Sequence, residues 1–228
     1  MPTVVALLAA AMAFGLPEPA ARRAALFIIV TYGCFAAGAY GGWPSVVTTV
    51  LVFVAPAAVL CALDRKGRQQ PPLPWLARGR VVPGTGWLAA ATVVLSMLAL
   101  IVWAFAVRPK PAPYLRTLQS WPWLWSVLGV LAFALVNPVW EEMLFRGVLL
   151  TELSALWGPR AAVVAQAALF GAAHYAGFPS GAVGVLMAGG WGFALGVMRL
   201  RTGGLAIPYA VHVVADAIIG MVAVAILR

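Results

Sequence analysis

The sequence predicts an all-α, polytopic transmembrane bundle of about eight helices, and three observations predict it. Hydrophobic residues make up 64% of the 228 and charged residues 9%, with a mean hydropathy of +0.98, too apolar for a soluble domain. The apolar residues fall in long runs separated by Gly, Pro and Arg. The net charge of +9 sits in the short connections between runs, as it does in loops that meet lipid headgroups, and this argues against a nucleic-acid partner.

In order, the runs are Val4 to Leu16, Ala24 to Gly41, Ser45 to Leu63, Trp87 to Val107, Leu124 to Leu153, Ala161 to Tyr175, Gly181 to Leu200 and Leu205 to Leu227. The first is shorter than the ~20 residues that cross the hydrocarbon core, and without a basic segment before it a cleaved signal peptide is not expected. Cys34 and Cys61 lie in separate runs, fit neither a disulfide framework nor a CxxC site, and are read as core. The longest connection, Asp64 to Gly86, carries Arg65, Lys66, Arg68, Arg78 and Arg80 around Gln69-Gln70-Pro71-Pro72-Leu73-Pro74. It reads as a cytoplasmic loop with an extended Pro-rich portion. A second connection, Arg108 to Pro122, leads into Trp121, Trp123 and Trp125, which read as interfacial anchors. With eight spans, Arg22, Arg23, the five loop cations, Arg160, Arg199 and Arg201 share one side, against Arg108, Lys110, Arg116 and Arg228 on the other. That bias puts both termini outside the cytoplasm. In the seventh run, Gly192-x-x-x-Gly196 predicts close helix packing. Residues 1–120 thus read as N-terminal helices with a basic Pro-rich loop, and 121–228 as the catalytic-type core of a single membrane domain.

Chemistry-bearing groups cluster in that second part. After the uncharged stretch Leu124 to Val136, the segment Asn137-Pro138-Val139-Trp140-Glu141-Glu142-Met143-Leu144-Phe145-Arg146-Gly147 puts two acids and a base into an apolar helix. Ionisable groups there are costly to desolvate and suggest a functional site. Glu142 and Arg146 have the favourable acid-first i,i+4 spacing of an intrahelical pair. Glu141 lies about 100° around the helix and is expected to be the acid that this pairing leaves out, with Asn137 one turn before it on the same face. Pro138 removes a hydrogen bond to Ala134 and is expected to bend the helix there. Phe170 and His174 share a helix face, as do His212 and Asp216. These are the only two histidines. Each group alone fits a structural hydrogen bond or ion pair as well as a site. Three separate helices that each carry one favour a catalytic or transport site. One tension follows from depth: at ~1.5 Å per residue, Glu141 lies ~26 Å along its helix and His174 ~20 Å along one running the other way, a mismatch of ~15 Å. Either the boundaries differ or the groups do not meet, and re-entry around Trp157-Gly158-Pro159 would close the gap.

Glu141-Glu142-x-x-x-Arg146, Phe170-x-x-x-His174 and His212-x-x-x-Asp216 resemble, in order, the three motifs of the CPBP family of intramembrane proteases, also called the CAAX protease and bacteriocin-processing or Abi family. The first segment is similar to the family's Pro-x-x-Glu-Glu-x-x-Phe-Arg-Gly core. The third motif of the family ends in Asn or Asp, and Asp216 falls within that pattern. The resemblance covers residues of about 124 to 220. It implies peptide-bond hydrolysis within the membrane, with Glu141 activating water, His174, His212 and Asp216 positioning water and stabilising the oxyanion, and Glu142, Arg146, Phe170 and Asn137 in support. The physics is consistent, because a desolvated carboxylate is a stronger base toward water and imidazoles aimed at an oxyanion act there unscreened. No cofactor is expected. The alternative is a zinc held by Glu141, His174 and His212 with an open position, although no His-Glu-x-x-His helix is present and a ligating Glu141 could not also be the free base. The expected partners are the lipid bilayer and a membrane-anchored protein or peptide, cut near its C-terminal membrane-associated segment in sorting-signal or CAAX-type processing. A chain rich in Ala, Gly, Trp and Arg with hardly any Lys points to a bacterial inner membrane. The rival class is a non-enzymatic immunity factor or a proton-linked transporter. A transporter would carry matching broken helices in both halves, and the residues before 137 hold no counterpart of these groups.

Overall fold

The computed structural model describes residues 18–66, 74–108, 113–175 and 178–226. Among them there is no strand. The helices are α1 (Pro19–Gly41), α2 (Ser45–Lys66), a 3-10 turn (Pro74–Leu76), α3 (Thr85–Val107), the short α4 (Pro113–Ser120), α5 (Trp123–Glu141), a π-helical segment (Glu142–Leu149), α6 (Leu150–Ala173), α7 (Gly181–Thr202) and α8 (Ala206–Ile226). The all-α expectation holds, with seven long helices among the described residues in place of about eight. The first expected run, Val4 to Leu16, and residues 67–73 of the Pro-rich loop lie outside the described residues. Four helical stretches are long and apolar enough to cross a membrane. The chain is an integral membrane protein.

The expected single helix from Leu124 to Leu153 differs in kind. The chain passes from α5 into eight residues of π-helix that carry Glu142 and Arg146, a rare form that recurs at functional sites. It continues as α6 to Gly158, where φ 77° and ψ 160° break the helix ahead of Pro159. Only glycine takes such a conformation cheaply. Apolar spacing is blind to a π-turn, whereas the Gly-Pro break is legible in the sequence.

The chain groups into two compact units. The first comprises the described residues up to Leu76 together with residues 143–162. Pro19 opens α1, where its missing N–H and fixed φ cost nothing. A side chain at Gly38 would run into Thr48, so α1 and α2 pack at contact distance. Phe27, Trp75 and Val148 form a core with Met143 and Leu144 against it. The loop expected to have an extended Pro-rich portion thus returns a buried tryptophan to the core just after it. Beside it Glu152, 2% exposed, receives Arg23 Nε and Nη2 at 3.0 Å each and Trp75 Nε1 at 2.7 Å.

The second unit comprises residues 77–142 and 163–228, and it holds the expected acids and histidines. Leu195, Met198 and Val211 form its core, with Leu88, Trp191 and Ile207 packed against them. Ser126 Oγ donates to the Leu118 carbonyl at 2.6 Å and ties α4 to α5. Tyr209 donates to the Leu135 carbonyl at 2.9 Å, and a side-chain carbon at Gly220 would meet Val130 at 2.6 Å, so α5 and α8 lie in close contact. A side-chain carbon at Gly192 would meet Phe170 at 3.1 Å, and one at Gly196 would meet Val163 at 2.7 Å. The packing expected of Gly192-x-x-x-Gly196 is therefore observed, against α6. Gln166 Nε2 reinforces it with a 2.9 Å bond to the Gly192 carbonyl. The backbone of residues 77–80 pairs with the turn between α7 and α8, Arg80 N–H to Thr202 O at 2.9 Å and Leu205 N–H to Ala77 O at 2.8 Å. These bonds anchor the start of α8, the helix that delivers His212.

Candidate active site

His212 is the centre of the site, and it is buried. Its Nδ1 lies 2.8 Å from Glu142 Oε1. An ionised carboxylate only accepts hydrogen bonds, so Nδ1 carries the proton and Nε2 is turned toward the two remaining acids. Those acids are Glu141, with Oε2 at 3.7 Å, and Asp216, with Oδ1 at 3.6 Å. One imidazole is thus ringed by three carboxylates drawn from two distant stretches of chain.

Asn137 fixes two of those acids. Its Nδ2 donates to Glu141 Oε1 at 3.3 Å and to Asp216 Oδ2 at 3.1 Å, while its Oδ1 accepts from Trp140 Nε1 at 3.2 Å. The indole donor settles which end of the amide faces the acids. Two expectations are corrected by this geometry. Glu141 has a partner on its own helix in Asn137, because one α-turn brings the two side chains together. Glu142, expected to pair within its helix with Arg146, also receives the imidazole of His212, since α8 packs against α5. Arg146 itself is fully buried on the π-helical segment.

His174 stands just past the end of α6, where its Nδ1 lies 2.8 Å from the Phe170 carbonyl. A carbonyl cannot donate, so this ring too carries its proton on Nδ1 and presents Nε2 outward. The buried Phe170 ring lies 4.4 Å from the His174 ring, tilted by 34°, and 6.4 Å edge-on from His212. Its expected supporting place is therefore an aromatic platform shared by both imidazoles. Phe170, His174, His212 and Asp216 line one cavity of about 420 Å³. His212 in turn reaches Glu141, so the depth mismatch does not keep the groups apart. That mismatch presumes a span ending near Leu153 and a fresh one entering at Ala161, whereas the chain stays helical as far as the break at Gly158.

Two residues of the site are not singled out by the sequence reading. Trp140 lies in the quoted segment three residues from Asn137, so its bond is a legible i,i+3 contact. Trp191, whose ring sits 5.7 Å edge-on from His212, carries no local signal in its glycine-rich run.

The zinc alternative calls for Glu141, His174 and His212 to converge. Among the described residues no three His, Cys, Asp or Glu side chains are grouped so as to hold a metal ion. No step below passes through a metal.

Fold and site together define a class, an all-α integral membrane protein whose carboxylate and imidazole cluster adjoins an apolar cavity. Residues 122–218 match the family model described as Type II CAAX prenyl endopeptidase Rce1-like. That stretch contains all three motifs, and through it the chain is similar to the CPBP family of intramembrane proteases. Neither a curated protein nor a solved structure matches it. In coarse terms the match supports an intramembrane CAAX-type endopeptidase, with a membrane-embedded protein substrate and a lipid environment.

Proposed function

We propose that this chain hydrolyses a peptide bond near the C-terminal membrane-associated segment of its substrate by a glutamate-type mechanism without metal. The observation that carries the reading is His212, held by Glu142 on one nitrogen and facing Glu141 and Asp216 with the other, at the edge of a cavity that also contains His174. The chemistry would reside in residues 121–228, with 1–120 supplying further helices and the basic loop.

In this mechanism Glu141 takes a proton from water as the water attacks the scissile carbonyl, and it later returns that proton to the leaving amine. Asp216 and His212 Nε2 hold the attacking water, since both face the place where Glu141 Oε2 points. The oxyanion is stabilised by His174 and His212, each of which has its Nδ1 proton engaged and donates through Nε2 when doubly protonated. Asn137 positions Glu141, Phe170 positions both rings, and Glu142 and Arg146 set the local charge. Chain composition favours a bacterial inner membrane as the setting, with sorting-signal or CAAX-type processing as the role.

The deciding experiment replaces Glu141 with Gln and with Ala in purified, lipid-reconstituted protein. Hydrolysis is expected to survive neither change, whereas an immunity or binding role would survive both. Activity that persists after exhaustive chelation supports the metal-free form, and activity restored only by added zinc overturns it.

A further inference from the structure

The cavity beside the cluster is much larger than a water molecule needs, and most of it is not built from the residues that carry the chemistry. Its volume, about 420 Å³, falls within the roughly 300–1,000 Å³ of ligand sites. One wall is the face of α3 that presents Leu88, Ala91, Leu95 and Ala99, and the opposite wall is α7, with Leu186, Gly190 and Ala194. α3 lies entirely outside the matched stretch 122–218. Apart from His174, His212 and Asp216, no lining residue is charged. Thr92 is polar in name only, because its hydroxyl donates to the Leu88 carbonyl at 2.7 Å. At the far end Phe178 is held in place by the edge of Trp103, 5.1 Å between ring centres. The mouth lies between two apolar spans, with Leu95 65% and Leu186 76% exposed.

Glycines on α7 divide by role. Side chains at Gly192 and Gly196 would collide with α6, but one at Gly190 would meet nothing within 4 Å. Gly190 leaves cavity space open, where its neighbours provide close packing.

We propose that this cavity is a side-chain pocket for the substrate, and that α3 selects which apolar residue sits beside the cleaved bond. The occupant is a large aliphatic or aromatic side chain of the membrane-embedded segment. An extended peptide passing the cluster places alternate side chains on opposite sides, so one of them enters the pocket while its carbonyl faces the imidazoles. The inference rests on the hydrolytic reading above. It adds that selection and chemistry reside in different stretches of the chain.

The test uses a degenerate pool of synthetic peptides, each with one apolar anchor and varied residues beside it, reconstituted with the full-length protein in liposomes. Mass spectrometry reads the residues flanking each cut, and cuts absent with Glu141→Gln define the profile. Gly190→Leu is expected to lower cutting beside Leu and Phe relative to Ala by about tenfold, the scale on which apolar pockets discriminate. Leu95→Ala is expected to shift the ratio the other way, and Leu98→Ala, on α3 but off the lining, to leave it unchanged. An unchanged ratio in both Gly190→Leu and Leu95→Ala overturns the proposal and leaves the cavity to lipid chains. If Gly190→Leu fails to fold, Leu95→Ala decides alone. Loss of all difference between the wild-type chain and Glu141→Gln overturns the hydrolytic reading and this inference together, an outcome distinct from cutting with an unchanged ratio.

Discussion

Two buried acids ten positions apart, Glu142 and Glu152, show how the same side chain serves opposite ends. Glu152, in the first unit, accepts two bonds from the Arg23 guanidinium and one from the Trp75 indole. Its charge is matched by an always-charged base in bidentate geometry. Glu142, in the second unit, faces a titratable imidazole that two other carboxylates also approach. The first arrangement pairs a carboxylate with a base that stays charged, which suits it to holding structure. In the second, three carboxylates approach one imidazole, and the cavity lies alongside. Burial of a carboxylate therefore does not distinguish a site from a brace; the nature of its partners does.

The strongest way to break that comparison is Glu141→Gln. It is expected to cost about 10²–10⁴-fold in hydrolysis, the range of a lost general base, with thermal stability in detergent close to that of the wild-type chain. If stability fell with activity in proportion, the cluster would be a second brace. Next comes His212→Gln, for which a loss of about 10²–10³-fold in turnover is expected, as for removal of an oxyanion donor. A turnover number within a few-fold of the wild type would remove His212 from the mechanism. Glu152→Ala sharpens the other side. Breaking a buried pair costs about 3–5 kcal/mol, and partial exposure of Arg23 puts the expected loss near the lower end. Unfolding in detergent measures it, and the fraction that remains folded should hydrolyse substrate at the ordinary rate. The smallest expected effect is that of Trp75→Phe, which keeps the apolar contact with Phe27 and Val148 but drops the indole bond to Glu152. About 1–3 kcal/mol of stability is expected to go, as for one bond to a charged acceptor, with no change in substrate preference.

Much of the candidate site is legible in the amino-acid order alone. Asn137, Glu141, His174, His212 and Asp216 each stand out because a polar group in an apolar run is conspicuous, and helical spacing pairs them within their own segments and adds Phe170 to His174. Glu152 does not stand out, because it lies at the edge of a run beside Ser154 and reads as a helix end. The π-helical segment is invisible for a different reason, since two turns of altered winding leave the apolar pattern unchanged. Pairings across the fold are also hidden. Spacing within one helix suggests Glu142 with Arg146, and no rule of spacing places His212 against Glu142, seventy residues away.

By itself the sequence determined that this chain lies in a membrane, roughly where several of the described helices run, and which side chains are too costly to bury without purpose. Those are properties of composition and of neighbours along the chain, because desolvation and helical periodicity act locally. Only tertiary structure decided which acid meets which nitrogen, which buried carboxylate is a brace, and that α3 walls the cavity beside the imidazoles. Each of these depends on how separate helices pack, and many packings would bury the same apolar faces equally well.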